Sequence, residues 1–522
     1  MGIGRYWLHT LGCPKNQVDS DKLAGRLVDD GYLLASAPGE ADLLVVNTCA
    51  FIETARQESI EAILELADSR REGSRVVVTG CMAERYGAEL ASALPEVDLV
   101  AGFGMSLVPP PPPPVPAEPV TPVVLGPARL RSRSSGNGPA LAGEAAVDGT
   151  GPLSTVMPVA GITTNEPAPL AGSFDLLELP RPAANAPWAY VKVAEGCDRS
   201  CGFCAIPSFR GKQRSRSMDD ILREVAALAE DSATGAGVRE IVLVAQDLAS
   251  YGRDRSRDSV RVGAGRLSEM GALGVRGSEV APPVSGNPMP IVTLTLAVAK
   301  IVPRTRLLYL YPSGLTDDLV AAVLATGVPY FDLSLQHVSR PLLARMRRWG
   351  DGERFLRRIS EIRRAEPMAT FRSSFILGYP GESEEDHDAL LDFLREAQLD
   401  WAGFFPFSPE EGTHAVSLPD QVPSGLAMER LRECAELQDA VTARRRDAMI
   451  GRTRQVLVDS PGIGRTVHEA PEIDGVVRVP PSIPVGAMVD MVVTASLGTD
   501  LVAAPPDQIS GPGHTTRTGE SW

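Results

Sequence analysis

The chain has 522 residues, 43% of them hydrophobic and 22% charged, with a formal net charge of −15 and seven cysteines. Seven cysteines in such a length are too sparse for a disulfide scaffold, and an acidic balance fits a basic protein partner better than a phosphate backbone. Met1-Gly-Ile-Gly-Arg-Tyr-Trp-Leu runs straight into an apolar strand with no secretory leader, so a reducing, cytoplasmic setting with no membrane attachment is expected.

Residues 1–105 alternate strand-like and helix-like segments. Tyr6-Trp-Leu-His-Thr-Leu-Gly-Cys13, Leu43-Leu-Val-Val-Asn-Thr-Cys49 and Val76-Val-Val-Thr-Gly-Cys81 each read as a buried strand closed by a cysteine. Leu23 and Leu27 mark one intervening helix, and Ile60, Ile63, Leu64 and Ala67 mark the other. Strand, helix, strand, helix, strand predicts a parallel sheet whose right-handed crossovers bring successive strand ends to one edge. Cys13, Cys49 and Cys81 can then meet in the crevice where such sheets bind ligands and hold a metal cluster. For any one of them alone, a buried free cysteine is the alternative.

Residues 106–187 have linker composition. Between Met105 and Pro187 lie 18 of the 44 prolines, six of them consecutive from Pro109 to Pro114. From 188 to 445, strands are predicted at 188–193, 241–245, 307–310, 330–335, 371–377 and 402–407. Helices are predicted at 218–229 behind Ser217, at 317–324, at 353–365 and at 384–397 behind Ser383. Six strands suit a partial (β/α) barrel, whose chemistry lies on the loops after the strands.

The first of those loops carries Cys197, Cys201 and Cys204 as C-x-x-x-C-x-x-C within Glu195-Gly-Cys-Asp-Arg-Ser-Cys-Gly-Phe-Cys-Ala-Ile-Pro-Ser-Phe-Arg-Gly211. Three thiolates at this spacing bind three irons of one cubane and leave the fourth iron open. A zinc site would need a further Cys or His pair, and none lies downstream of Cys204. Gln246-Asp247, Tyr311-Pro-Ser-Gly314, Gln336-His337 and Gly378-Tyr-Pro-Gly-Glu382 also fall at strand ends. They are candidates for cofactor or substrate contacts, with ordinary turn chemistry as the alternative.

Residues 253–290 are rich in Gly, Ser, Arg and Pro where a helix should join two barrel strands, and 291–299 after them look β-like. This atypical insert is either a tolerated surface loop or a sign of a damaged barrel. Cys434 reads as structural, His337 as a possible site residue, and His387 and His414 as solvated surface. After a charged helix around 431–449, residues 446–505 form short β-rich runs at 454–458, 475–479 and 488–494, and 506–522 read as a disordered tail. From Arg452 to Asp500 there are four Arg, no Lys and six Asp or Glu, a net of −2, so RNA contact is possible but not favoured.

The C-x-x-x-C-x-x-C loop, with Phe203 before its last cysteine, resembles the radical S-adenosylmethionine (radical SAM) superfamily. A three-cysteine α/β domain ahead of it resembles the methylthiotransferases. Leu11-Gly-Cys-Pro-Lys-Asn16, Asn47-Thr-Cys-Ala-Phe-Ile52, Thr79-Gly-Cys-Met82 and Cys204-Ala-Ile-Pro-Ser-Phe-Arg-Gly211 look like the RimO-type branch of that family. The transfer-RNA branch typically reads Gly-Cys-Gln-Met-Asn at the first site. The resemblance implies an N-terminal three-layer α/β domain, a radical SAM partial barrel and a C-terminal TRAM-like β module, whose likeness lies in Ala470-Pro-Glu-Ile-Asp-Gly-Val-Val477.

It further implies two 4Fe-4S clusters, one on Cys13, Cys49 and Cys81 and one on Cys197, Cys201 and Cys204. SAM would bind the second near Phe203, and two SAM would be used per product. The implied substrate is an aspartate of the small-subunit ribosomal protein numbered twelve, methylthiolated at its β-carbon, with a low-potential electron donor as a second partner. That carbon's hydrogens are too weakly acidic for a side-chain base at neutral pH, so a radical has to remove one. A transfer-RNA methylthiotransferase and a non-catalytic iron–sulfur or ribosome-binding protein are the other readings.

Overall fold

A computed structural model describes residues 4–108, 174–230, 237–255 and 289–509. The first domain is built on β1 (Gly4–Thr10), β2 (Tyr32–Leu34), β3 (Leu43–Thr48), β4 (Arg75–Gly80) and β5 (Leu99–Val100), an all-parallel sheet in the order β2-β1-β3-β4-β5. The central strands are apolar on both faces, so each face needs a cover. Leu44, Val46, Val76 and Val78 pack on Ile63 and Leu66 of α2 (Glu53–Ser69) and Leu90 of α3 (Cys81–Ala93). Leu43, Val45 and Val77 face the other way, onto Leu23 and Leu27 of α1 (Pro14–Asp29). Three layers result.

The expected linker lies outside the described residues over 109–173. Its last part, 174–187, is folded: Leu176 joins the core that holds Leu23 and Leu107, and Lys22 Nζ donates to the Leu177 carbonyl at 2.6 Å. The apolar Phe-Asp-Leu-Leu step, rather than the prolines, decides its placement.

The second domain contains β6 (Trp188–Lys192), a short ribbon of β7 (Ala194–Glu195) and β8 (Arg214–Ser215), α4 (Ile206–Arg210), α5 (Met218–Glu230), and then β9 (Glu240–Val244), β10 (Arg304–Leu307), β11 (Tyr330–Gln336), β12 (Thr370–Leu377) and β13 (Trp401–Pro406). Strands β6, β9 and β10 pair in parallel, as do β11, β12 and β13, and a Leu310–Leu333 bridge joins the two groups. Six parallel strands thus follow one another as an open barrel. Ser217 caps α5 through the Asp220 amide at 3.1 Å, and Ser383 closes a capping box with Asp386.

Two expectations are corrected here. Residues 291–299 look β-like, but Pro290–Val298 is a helix with Ile291, Val292, Leu294, Thr295, Ala297 and Val298 buried. A helix buried on most sides loses the polar face that announces it, and Pro290 at its first turn sets its start. The connection between β9 and β10 therefore has its helix, although 256–288 lie outside the described residues. His387, expected on the surface, is 1% exposed, because helical period places it beside Leu390 and Leu394, and its Nε2 lies 2.7 Å from Glu433 Oε2. His414 is half-buried, and Cys434 is fully buried in the barrel core.

The third domain is a closed barrel of β14 (Thr453–Ser460), β15 (Ile463–Arg465), β16 (Val477–Arg478), β17 (Met488–Leu497) and β18 (Asp500–Ala504), ordered β14-β15-β16-β18-β17 around Val456, Val458, Met491, Val493 and Leu501. Pro506–Ile509 forms a helical turn where a disordered tail was expected, and 510–522 lie outside the described residues. This domain closes one end of the open barrel. Val18 of α1, Tyr190, Val242, Val244, Leu308, Tyr330, Trp401 and Ala470 form one apolar cluster, so all three domains contribute to the barrel interior. Among the described residues, no helix is long and apolar enough to cross a membrane.

Candidate functional site

Each of the first three cysteines sits where a parallel strand gives way to a loop or helix. Cys13 precedes α1, Cys49 follows β3, and Cys81 opens α3. Their strands β1, β3 and β4 are neighbours, so the three thiols share one sheet edge. The turns leave no room for larger residues. Gly12 has φ +95°, and a Cβ there would stand 3.0 Å from Cys49 Sγ. Gly80 has φ +91°, and its Cβ would meet Asn47 Oδ1 at 2.2 Å.

All three thiols are free. The Cys13 thiol is held below its ordinary range: burial raises it, but the Lys15 and Arg210 charges outweigh that. Cys49 is pushed up to about 12 by burial and by its neighbours Cys13 and Cys81. Cys81 is raised by burial, against the pull of Arg210.

The second set lies on the loop after β6 and the β7 edge. Gly202 N–H donates to the Met346 carbonyl at 2.8 Å, while the Gly202 carbonyl accepts from Ala415 N–H at 2.8 Å. The loop is therefore pinned from both sides. Cys197 Sγ accepts from the Arg199 amide at 3.4 Å, and Cys201 Sγ accepts from Arg348 Nη1 at 3.3 Å. Burial pushes Cys204 up to about 12. Phe203 is half-buried and packs on the barrel core.

Arg210, at the end of α4, joins the two sets. Its guanidinium donates to Cys81 Sγ at 3.1 Å, Asn16 Oδ1 at 2.6 Å, Asp19 Oδ2 at 3.2 Å and Glu195 Oε1 at 2.9 Å. Lys192 Nζ pairs with Asp19 and, at 2.6 Å, with Glu195. Burial alone would raise the Glu195 carboxyl, but Arg210 and Lys192 hold it well below the usual carboxylate range. Phe209 packs against the first domain's core beside α3, and Arg210 stacks 4.6 Å from the Phe103 ring.

The flagged strand-end motifs divide. Gln246 Nε2 donates to Glu195 at 2.7 Å, and Asp247 holds Arg199 at 2.7 Å. Tyr311 lies between Arg199 and Arg348, 3.8 and 4.2 Å from its ring centre. These belong to the cysteine loop. Glu382 accepts from the Gly378 and Tyr379 amides and pairs with Arg430 at 3.2 Å, which closes the Gly378–Glu382 turn on itself, while the Tyr379 hydroxyl reaches the cysteine loop beside Gly202. His337 is buried, its Nδ1 accepting from the Ser339 amide at 3.1 Å, and it faces Asp386, His387 and Arg430 rather than the cysteines. Sequence reasoning missed the roles of Arg210, Lys192, Asp19, Asn16 and Arg348. Two of them, Asn16 and Arg210, stand inside the cysteine motifs, which was the available signal.

The donor sets suit iron–sulfur clusters. Each is three soft thiols with N–H groups aimed at sulfur and cations nearby, the surroundings that thiolate-bound clusters use. Among the described residues no three His, Cys, Asp or Glu side chains group closely enough to cage one metal ion. Thiols of a cubane each take a different iron, so a cluster does not require them to converge on one ion.

Three family models match this chain: the uncharacterized protein family UPF0004 over residues 5–102, the radical SAM superfamily over 191–394 and the TRAM domain over 450–505. Among curated relatives, the chain is 38% identical over 528 residues to the ribosomal protein uS12 methylthiotransferase RimO of Streptomyces coelicolor, covering 95% of this chain and 96% of that one. It is 38% identical over 491 residues to the same-named protein of Moorella thermoacetica, covering 93% and 95%. Among solved structures, it is similar to the radical S-adenosylmethionine methyltransferase TsrM of Kitasatospora setae, at TM-score 0.40 and 16% identity over 79% of this chain and 77% of that one. With its two cysteine sets, its open parallel barrel and close relatives along nearly its whole length, the chain belongs to the RimO family of ribosomal protein uS12 methylthiotransferases.

Proposed function

We propose that this protein is a cytoplasmic radical SAM methylthiotransferase that adds a methylthio group to the β-carbon of an aspartate in ribosomal protein uS12. Cys13, Cys49 and Cys81 would hold one 4Fe-4S cluster. Cys197, Cys201 and Cys204 would hold the other, with SAM beside Phe203. Bound on these thiols, the clusters and SAM would supply the one-electron chemistry that no side chain possesses. Residues 1–105, 188–445 and 446–505 would act as the sulfur-bearing, radical-forming and docking domains, with an external low-potential donor supplying electrons.

The chain's own residues would set the geometry. Arg210, Lys192, Asp19 and Glu195 fix one set of thiols against the other, and Arg199, Arg348 and Tyr311 brace the C-x-x-x-C-x-x-C loop. The apolar lining of Val18, Tyr190, Val242 and Leu308 keeps water out of the barrel interior. The observation that carries the reading is Arg210, which touches Cys81 of one set while standing six residues beyond Cys204 of the other.

The test is anaerobic reconstitution, followed by incubation with reductant, SAM and a uS12 peptide. About eight irons per chain, a gain of about 46 Da on the aspartate from replacing H with SCH3, and 5′-deoxyadenosine are expected. Replacing either cysteine triplet with alanine should leave about four irons. Full iron without deoxyadenosine would mean a non-catalytic iron–sulfur protein, and modification of transfer RNA instead of peptide would reassign the substrate.

A further inference from the structure

Lys15 is the second residue after Cys13 and is 9% exposed. Its ammonium sits 3.2 Å from the centre of the Tyr309 ring, so it reaches from the cysteine turn of the first domain across to the barrel segment just after β10. Tyr309 holds the left-handed conformation, φ +66°, and its amide donates to Asp332 Oδ2 at 2.9 Å, which fixes the ring beneath the ammonium. Neighbouring Val18 lies in the barrel-interior cluster, and Tyr309 packs on the same cluster.

The other buried cations around Lys15 are matched to acceptors. Lys192 pairs with Asp19 and Glu195, Arg210 with Asp19 and Glu195, and Arg372 with Asp332 at 3.1 Å. The Lys15 ammonium makes no ion pair or hydrogen bond among the described residues and rests on a π face instead. A π face satisfies the charge without using up the three N–H donors. Cys13, Asp332 and Glu195 lie near enough to act on its charge, but among the described residues none of them bonds to the ammonium, so its N–H donors are left for a further anion.

We propose that Lys15 is the specificity residue that receives the side-chain carboxylate of the substrate aspartate, holding its β-carbon between the two cysteine sets. This rests on the methylthiotransferase reading above. The side chain has the length and charge to take a carboxylate directly, and the Tyr309 ring supplies a fixed wall against which the ammonium rests. Methionine or glutamine at this position would occupy similar space without the charge, with no reason to prefer a carboxylate over an amide.

The test compares the reconstituted full-length protein with Lys15→Met and Lys15→Arg. Two fluorescent uS12 peptides serve as probes, one with the target aspartate and one with asparagine in its place, and binding is read by anisotropy alongside iron and sulfide content. The wild type should prefer the aspartate peptide by about tenfold or more, the range of a charge-assisted hydrogen bond. Lys15→Met should lose that preference while keeping its iron, and Lys15→Arg should retain part of it. Lys15→Met with undiminished preference overturns the proposal, as does Lys15→Met that loses iron, which would make Lys15 a support for the thiols. A wild type that modifies the aspartate peptide without preferring it overturns the carboxylate role alone. A wild type that neither binds nor modifies either peptide overturns the methylthiotransferase reading as well.

Discussion

Arg210 donates to the Sγ of Cys81 at 3.1 Å although 129 residues separate them. The same guanidinium satisfies Asn16, Asp19 and Glu195, so a single side chain links the cysteine-bearing edge of the first domain to the cysteine loop of the second. A guanidinium offers five N–H donors on three nitrogens to these four acceptors, whereas lysine offers a single nitrogen.

Arg210→Gln leaves Asp19 and Glu195 with Lys192 as their remaining cation among the described residues, and removing one partner of such a buried network costs about 3–5 kcal/mol. A thermal midpoint well below wild type is expected for Arg210→Gln, with Arg210→Lys between the two. A wild-type midpoint in Arg210→Gln would show that the network does not hold the domains together.

Gly202 lies between Cys201 and Cys204, where a Cβ would stand 2.8 Å from Tyr379 Oη and 3.3 Å from the Arg345 carbonyl. Gly202→Ala should displace the loop and cut the iron that Cys197, Cys201 and Cys204 would hold under the proposed function. Removing the offending hydroxyl makes room, so Gly202→Ala with Tyr379→Phe should recover part of that iron. Equal iron in the single and double variants would locate the clash on the backbone side instead.

The cysteine-bearing strands were legible because each is a short apolar run ended by Gly-Cys or Thr-Cys, and strands buried on both faces advertise themselves without any period. The other barrel strands and the caps at Ser217 and Ser383 were legible for equally local reasons, but β10 lies at Arg304–Leu307 rather than at the expected 307–310, because its buried arginines Arg304 and Arg306 hide it from a search for apolar runs. The helix Pro290–Val298 was not, since a helix packed on most sides shows the same unbroken hydrophobicity as a strand. His387, read as solvated surface, was recognisable in principle as buried from Leu390 and Leu394 at three and seven residues on. The Arg210, Lys192, Asp19 and Glu195 network joins residues far apart in sequence, and no local pattern encodes such a meeting.

Glu240 of β9 accepts from Arg306 Nε at 2.7 Å and from Arg465 Nη1 of the third domain at 3.0 Å. Burial would raise its carboxyl, but Arg465, Arg306 and Arg304 hold it at about 2 against an ordinary 4.5. As pH falls, the unfolded chain takes up this proton first. The stabilisation is therefore present above about pH 4.5 and is lost progressively as pH falls toward 2, and it corresponds to roughly 3 kcal/mol. Arg465 stacks 5.8 Å from the ring of Trp188, one of five tryptophans, so the Trp188 part of the fluorescence reports on this joint. Glu240→Gln should be less stable than wild type at pH 7, and the two should converge near pH 2. A gap that stays constant across that range would rule out Glu240 as the titrating group.

The described residues on either side of the segment 256–288 come together at Gly252 and Pro290, where a Cβ built on Gly252 would meet Pro290 Cβ at 2.6 Å. On its near side, Asp254 accepts from the Ser215 amide at 2.7 Å and Arg255 Nη1 donates to the Ser215 carbonyl at 2.7 Å. On its far side, the helix Pro290–Val298 is seated in the barrel core through Ile291, Leu294 and Val298. Both stubs are thus anchored independently of what lies between them, and loop-closure entropy changes only slowly with length. Replacing 256–288 with a short Gly-Ser bridge should leave the thermal midpoint and the iron content unchanged. A collapse of either in the shortened chain would show that the insert contributes to the barrel itself.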